Sequence, residues 1–193
     1  MIDRLNDVAL KAEDVAELST LRKLLTYLHK DPYINSPFLP LKRLSSRKKG
    51  AKMESVAEDV LKYYNQHVER SGNSDWDRTI NGHKVEIKGS FLWDVTNKFK
   101  WQQIRQTQDY EYILFMAFYP DRLEMYVASK ETAMKHLAVQ DDKGQWTHNQ
   151  HGGKKVKTAD TFALTGLPED FDWLTPIHLS PIFDAELQDY VLF

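Results

Sequence analysis

The Asn-Gly pair at residues 81 and 82 constrains the local geometry of this chain more tightly than any other feature of its 193 residues. Asn-Gly is the strongest short signal for a two-residue type I′ hairpin turn, whose central positions both need positive φ. It is flanked by Asp77-Arg78-Thr79-Ile80 and by His83-Lys84-Val85-Glu86-Ile87-Lys88. Ile80 is then expected opposite His83. Counting back along both strands pairs Thr79 with Lys84, Arg78 with Val85, Asp77 with Glu86, Trp76 with Ile87 and Asp75 with Lys88. Because side chains alternate between faces, one face of this hairpin is expected to carry Asp77, Glu86 and Lys88, and the other Trp76, Ile80, Val85 and Ile87. The apolar face is the one a sheet buries.

The polar face has chemical consequences. Carboxylates on directly opposed residues have Cβ atoms roughly 5 Å apart and repel each other, an arrangement that is costly unless a cation neutralises it. Magnesium suits such a pair, since it takes oxygen ligands, retains several waters and is commonly held by one or two carboxylates together with substrate phosphate. Lys88, one step along the same face, is placed to stabilise developing charge or to position an attacking water. The expected chemistry is phosphodiester hydrolysis.

Asp77 followed by Glu86-Ile87-Lys88 resembles the catalytic signature of the PD-(D/E)XK nuclease superfamily, to which most type II restriction endonucleases belong. The resemblance extends from the preceding stretch around Glu54 and Glu58 to Phe99–Arg105 and on into the apolar run Tyr112–Phe118, about residues 50 to 130 in all. Trp76 stands where that motif has its proline. The resemblance implies an α/β fold with a restriction-endonuclease-like core, a central mixed β-sheet flanked by helices. It implies a magnesium-dependent endonuclease acting on double-stranded DNA at a short specific sequence. Asp77, Glu86 and the backbone carbonyl of Ile87 would hold the metal, and Lys88 would serve the water and the pentacovalent phosphate. Glu54 matches the helix-borne acid near the metal, with Glu58 one turn on as its alternative. Gln103, or Gln102 beside it, matches a glutamine often found at such sites. A palindromic target would be met by a two-fold homodimer. The other activities open to the same core are a structure-specific or nicking nuclease of repair, recombination or phage type, and a non-catalytic DNA-binding subunit.

Composition sets wider limits. A chain of this length with 41% hydrophobic residues can bury one core of ordinary size. The expected organisation is an N-terminal helical extension with a basic loop over residues 1–49, and a nuclease domain with a C-terminal elaboration over residues 50–193. The absence of cysteine excludes a disulfide scaffold and a thiolate zinc site. The longest apolar run, Tyr112 to Tyr119, is too short to span a membrane, and the first residues lack the basic start and apolar stretch of a signal peptide, so a cytoplasmic protein is expected.

The net charge of −2 conceals an uneven distribution. Lys42, Arg43, Arg47, Lys48, Lys49 and Lys52 fall in one stretch free of acids, whereas the segment from Thr158 to Phe193 has no Lys or Arg. Such local stripes suit a polyanion groove, or equally a solvated loop. A second polar segment, Gly144 to Lys155, includes Asn149, Gln150, His151, Lys154 and Lys155 around Gly152-Gly153. Its amides and ammonium groups match what base edges offer, and a flexible hairpin tip is the alternative. His148 and His151 have metal-like spacing without further ligands to complete a set. Phe99 and Trp101 alternate with Lys98 and Lys100, a pattern that fits either base stacking or core packing.

The remaining periodicities predict a helix up to about His29 and a loop or hinge from Asp31 to Gly50. A helix over 51–68 and another over 99–108 follow, then strands at 110–119 and 123–128, and a helix at 129–136.

Overall fold

The computed structural model describes residues 31–150 and 161–183. The fold is mixed α/β, with a central mixed sheet flanked by helices. Its strands in chain order are β1 (Val68–Arg70), β2 (Arg78–Ile80), β3 (His83–Phe91), β4 (Phe99–Arg105), β5 (Tyr112–Phe118), β6 (Leu123–Ser129), β7 (Thr161–Gly166) and β8 (Thr175–Pro176). The helices are α1 (Leu39–Lys42), α2 (Ser46–Tyr63) and α3 (Lys130–Leu137). Among the described residues, six strands form the main sheet in the order β1-β2-β3-β5-β6-β8, while β4 and β7 pair in a separate two-stranded sheet. All pairings are antiparallel except β3 with β5, which runs parallel at the centre.

The expected hairpin forms. Asn81 and Gly82 both have positive φ, 49° and 87°, and Ile80, Thr79 and Arg78 pair with His83, Lys84 and Val85. Strand β5 is buried on both faces, as a continuous apolar run predicts. Leu114, Met116 and Phe118 join a core with Met53, Ala57 and Leu61 of α2 and with Ile80, Val85 and Ile87 of the hairpin. Ile113, Phe115 and Ala117 point the other way, into a core shared with Phe99, Trp101 and Ile104 of β4, Phe162 and Leu164 of β7, and Ala133 and Leu137 of α3. Strand β6 and helix α3 also match their expected spans, and Ser129 caps α3 by accepting from Thr132 N–H at 3.1 Å.

Four expectations are corrected. Residues 99–105 form strand β4, not a helix. Pairing with β7 overrides the local pattern, and a bulge between Trp101 and Ile104, with Gln103 at φ 59°, supplies the extra residue that breaks strict alternation. The connection between parallel β3 and β5 therefore runs through a strand of the second sheet. The segment 31–50 is not a loop, because it contains α1 and the first turn of α2. Its Tyr33 is completely buried. At its other end α2 stops at Tyr63, and Val68 already belongs to β1. Trp76 lies on the opposite side of the sheet from Val85 and Ile87. Its indole N–H donates to Thr79 Oγ1 at 3.2 Å and Lys84 Nζ sits 4.8 Å from the ring centre. The helix expected up to about His29, and His151, Lys154 and Lys155, lie outside the described residues.

Helix α2 meets β3 at Gly89, where a Cβ would overlap the side chain of Met53. Met53 is flexible and can shift, so Gly89→Ala is expected to destabilise the protein by about 1–2 kcal/mol in urea unfolding. Combined with Met53→Ala, the two effects should be less than additive, which a double-mutant cycle measures.

Candidate active site

The β2–β3 ladder stops at Arg78–Val85, one pair before the acids. Regular pairing would set Asp77 opposite Glu86, but the Asp77 N–H donates to Val85 O at 3.1 Å, so Asp77 and Arg78 both lie against Val85. Among the described residues, no strand pairs with the edge of β3 beyond this point on the β2 side. The Asp77 carboxylate supplies a substitute partner, Oδ2 accepting from Ile87 N–H at 2.7 Å. The pairings expected for Trp76 with Ile87 and Asp75 with Lys88 do not form.

Glu86 points away from α2, into the space between the main sheet and the β4 side, and is only 5% exposed. Its Oε1 accepts from Lys88 Nζ. Burial is the largest influence on Glu86 and pushes its carboxyl up, to about 7; the Lys88 ammonium opposes this, while the charge and hydrogen bonding of Asp77 add to it. Asp77, Glu86 and Lys88 are thus brought together, by the end of the ladder in place of the continuous pairing expected from sequence.

Glu54 and Glu58 reach the same region from α2 and meet Arg78, which the sequence pattern places only as a ladder residue. Arg78 is 8% exposed. Its Nε donates to Glu58 Oε2 at 3.0 Å, and its Nη1 donates to Glu54 Oε2 at 3.3 Å and to Asp77 O at 2.7 Å. One guanidinium therefore ties the helix acids to the backbone of Asp77. Glu54 is raised, first by burial and then by the charge of Asp77, with Arg78 opposing. Glu58 also bonds Lys62 and is lowered, the Lys62 hydrogen bond being the largest cause. Glu54 faces the site, and Glu58 is committed to cations of the helix and hairpin. The signal that could have found Arg78 is its parity with Ile80, which puts a cation on the apolar face opposite the acids of α2.

Glu54, Asp77, Glu86 and Lys88 line a cavity of about 720 Å³ together with Lys42, Lys49, Lys100, Arg105, Gln102 and Gln103. Lys49 belongs to the first turn of α2 with Arg47 and Lys48, a turn that holds no acid. Basic residues there add to the positive end of the helix dipole, so positive potential is concentrated beside the cavity. Lys49 is lowered by burial and by the neighbouring Lys42.

Gln103 is at the cavity wall, but its position depends on Gln150, whose Oε1 accepts from Gln103 N–H at 2.7 Å. The side-chain oxygen of Gln150 is thus engaged within the protein. Asn149 bridges to Phe162, and Ala163 N–H donates to His148 O at 2.9 Å, so residues 148–150 extend the β7 pairing and do not form a free loop tip. Phe99 and Trp101 are fully buried and stack on each other, which settles them as core. Among the described residues, no group of three or more His, Asp or Glu side chains is arranged to hold a metal, and no helix is long and apolar enough to cross a membrane.

Neither the known protein families nor the curated proteins match this chain. Among solved structures, a bacterial homing endonuclease aligns over 46% of this chain and 67% of its own, at 17% identity and a TM-score of 0.36.

The raised Glu86 carboxyl makes stability depend on pH. Between its ordinary 4.5 and about 7, the folded state holds a proton that the unfolded state has released. Stability is therefore lost as pH rises through that window. In metal-free buffer, urea unfolding across this range should show the decline for the wild type. Glu86→Gln should flatten it and be the more stable protein above the window. An equal slope in both proteins would contradict the burial argument.

Proposed function

We propose that this protein is a magnesium-dependent endonuclease that hydrolyses phosphodiester bonds of double-stranded DNA at a short specific sequence, in the manner of type II restriction enzymes. The observation that carries this reading is the convergence of Asp77, a buried Glu86 and Lys88 at the unpaired edge of β3, inside a cavity that also presents Lys42, Lys49, Lys100 and Arg105.

The donor set supports magnesium. It comprises the Asp77 and Glu86 carboxylates with the Ile87 carbonyl, too few protein ligands for a closed cage and suited to an ion that keeps its waters. Two carboxylates close enough for Asp77 to raise Glu86 are what a cation would relieve. Bound there, magnesium would neutralise a phosphodiester and acidify a water. The protein's own groups do the rest. Lys88, held beside Glu86, is sited to orient the attacking water and to stabilise charge developing on the phosphorus oxygens. Glu54, its carboxyl raised by burial and then by the charge of Asp77, stands at the cavity wall as a candidate proton-exchanging group. The cations of the cavity and the first turn of α2 hold the phosphates on either side.

Incubation with mixed-sequence plasmid and magnesium tests the reading. Discrete fragments support it, nicks or smears point to a structure-specific or nicking nuclease, and retarded intact DNA points to a binding subunit. A two-fold dimer in solution, the arrangement a palindromic target would require, is measured by sedimentation.

Asp77→Ala, Glu86→Ala and Lys88→Ala should each lower cleavage by about 100-fold or more while the variants remain folded by circular dichroism. A folded Glu86→Ala protein that cuts at near-normal rate would sink the assignment. Neutralising Arg47, Lys48 and Lys49 together should weaken binding to all sequences alike and lower the salt slope by roughly one unit for each phosphate that is no longer neutralised. An unchanged slope would return this turn to the status of solvated surface.

A further inference from the structure

The segment joining β3 to β4 presents an exposed tryptophan on a braced loop. Leu92 N–H donates to Tyr33 Oη at 2.9 Å, and Tyr33 is itself completely buried. Trp93 N–H donates to Lys98 O at 3.1 Å, and Asn97 N–H donates back to Trp93 O at 2.8 Å, with Asn97 at φ 49°. Asp94 Oδ1 accepts from Val95 N–H at 3.1 Å, and Lys100 N–H is tied to Ser90 Oγ at 2.8 Å. Both ends of the loop and its tip are therefore fixed by hydrogen bonds.

On this braced tip Trp93 is 55% exposed and Val95 86% exposed, whereas Phe99 and Trp101 a few residues on are fully buried. The Trp93 ring meets no other aromatic ring and no cation among the described residues. Scattered exposed apolar side chains are ordinary, but Leu92, Trp93 and Asp94 line the same cavity as Lys49, Lys88 and Lys100. A flat apolar surface beside ammonium groups matches a polynucleotide, whose phosphates seek the cations and whose bases offer a face to the indole. Bracing the backbone that carries the ring reduces the ordering cost of that stacking.

We propose that Trp93, flanked by Val95, is a base-contacting wedge that stacks on an unstacked base of the DNA strand held in the cavity. This rests on the nuclease reading above and adds an interaction which that reading does not require. A stacking wedge favours DNA in which a base is already free to leave the helix, because less unstacking must be done.

The test uses fluorescence anisotropy of the full chain with two short labelled duplexes, one fully paired and one with a single unpaired 2-aminopurine, in EDTA to prevent cleavage. The wild type should prefer the second duplex and quench its 2-aminopurine. Trp93→Ala should lose that preference, weakening binding about tenfold to a hundredfold. Trp93→Phe should retain most of it, and the salt slope should be the same in all three proteins, since the phosphates keep the same cations. If Trp93→Ala binds and quenches like a wild type that cuts DNA, the wedge is overturned and the nuclease reading stands. If the wild type neither binds nor cuts DNA, both fall together. Self-association of the wild type that Trp93→Ala abolishes, with DNA binding unaffected, would assign the surface to a second copy of the chain and overturn the wedge.

Discussion

The early end of the β2–β3 ladder is the constraint on which the candidate site depends. Had pairing continued past Arg78–Val85, the N–H of Ile87 would have faced a backbone partner and Asp77 would have been a surface residue of a regular hairpin. Instead Asp77 lies against Val85 with its carboxylate turned onto Ile87 N–H. An unpaired strand edge is ordinarily a liability, since its free backbone groups invite other chains. Here the edge lies in a cleft between α2 and β4, and a side chain provides part of its hydrogen bonding.

The charge arrangement follows from that geometry. Glu86 is enclosed because β3, like β5 beside it, has helix α2 on one side and the second sheet on the other, and its partner Lys88 is enclosed with it. Arg78 does for the helix acids what Lys88 does for Glu86, and its bond to the carbonyl of Asp77 links the two groups of charges. Buried ion pairs of this kind contribute little net stability, because desolvation offsets much of the attraction. Their effect lies in fixing where each carboxylate sits.

The hairpin, the doubly buried β5, β6 and α3 were legible in the sequence through local patterns, such as the turn dipeptide of the hairpin and the unbroken apolar run of β5. That Asp77, Glu86 and Lys88 would be neighbours was legible too, through strand parity. Strand β4 was not, because the bulge at Gln103 disturbs its alternation and its partner β7 begins only at Thr161. The end of the ladder was illegible for a related reason. Ile87 N–H could be satisfied by the backbone of Trp76 or by the Asp77 carboxylate, and no local pattern announces that the carboxylate takes it. Gln150, whose amide suits a base edge, is occupied by Gln103, a pairing no local pattern announces.

The separate sheet of β4 and β7 has a consequence for the order of folding. Asp77 and Glu86 come from one hairpin, a low-contact-order unit that can form on its own timescale while both carboxylates are still hydrated. The cover over Glu86 belongs to a later stage, because β4 must dock with a partner from beyond residue 160 before that side of β3 is closed. The electrostatic cost of the site is therefore deferred until the rest of the sheet is in place. A chain that stalls before β7 docks would hold its acidic cluster in water, nearly assembled and nearly free of strain.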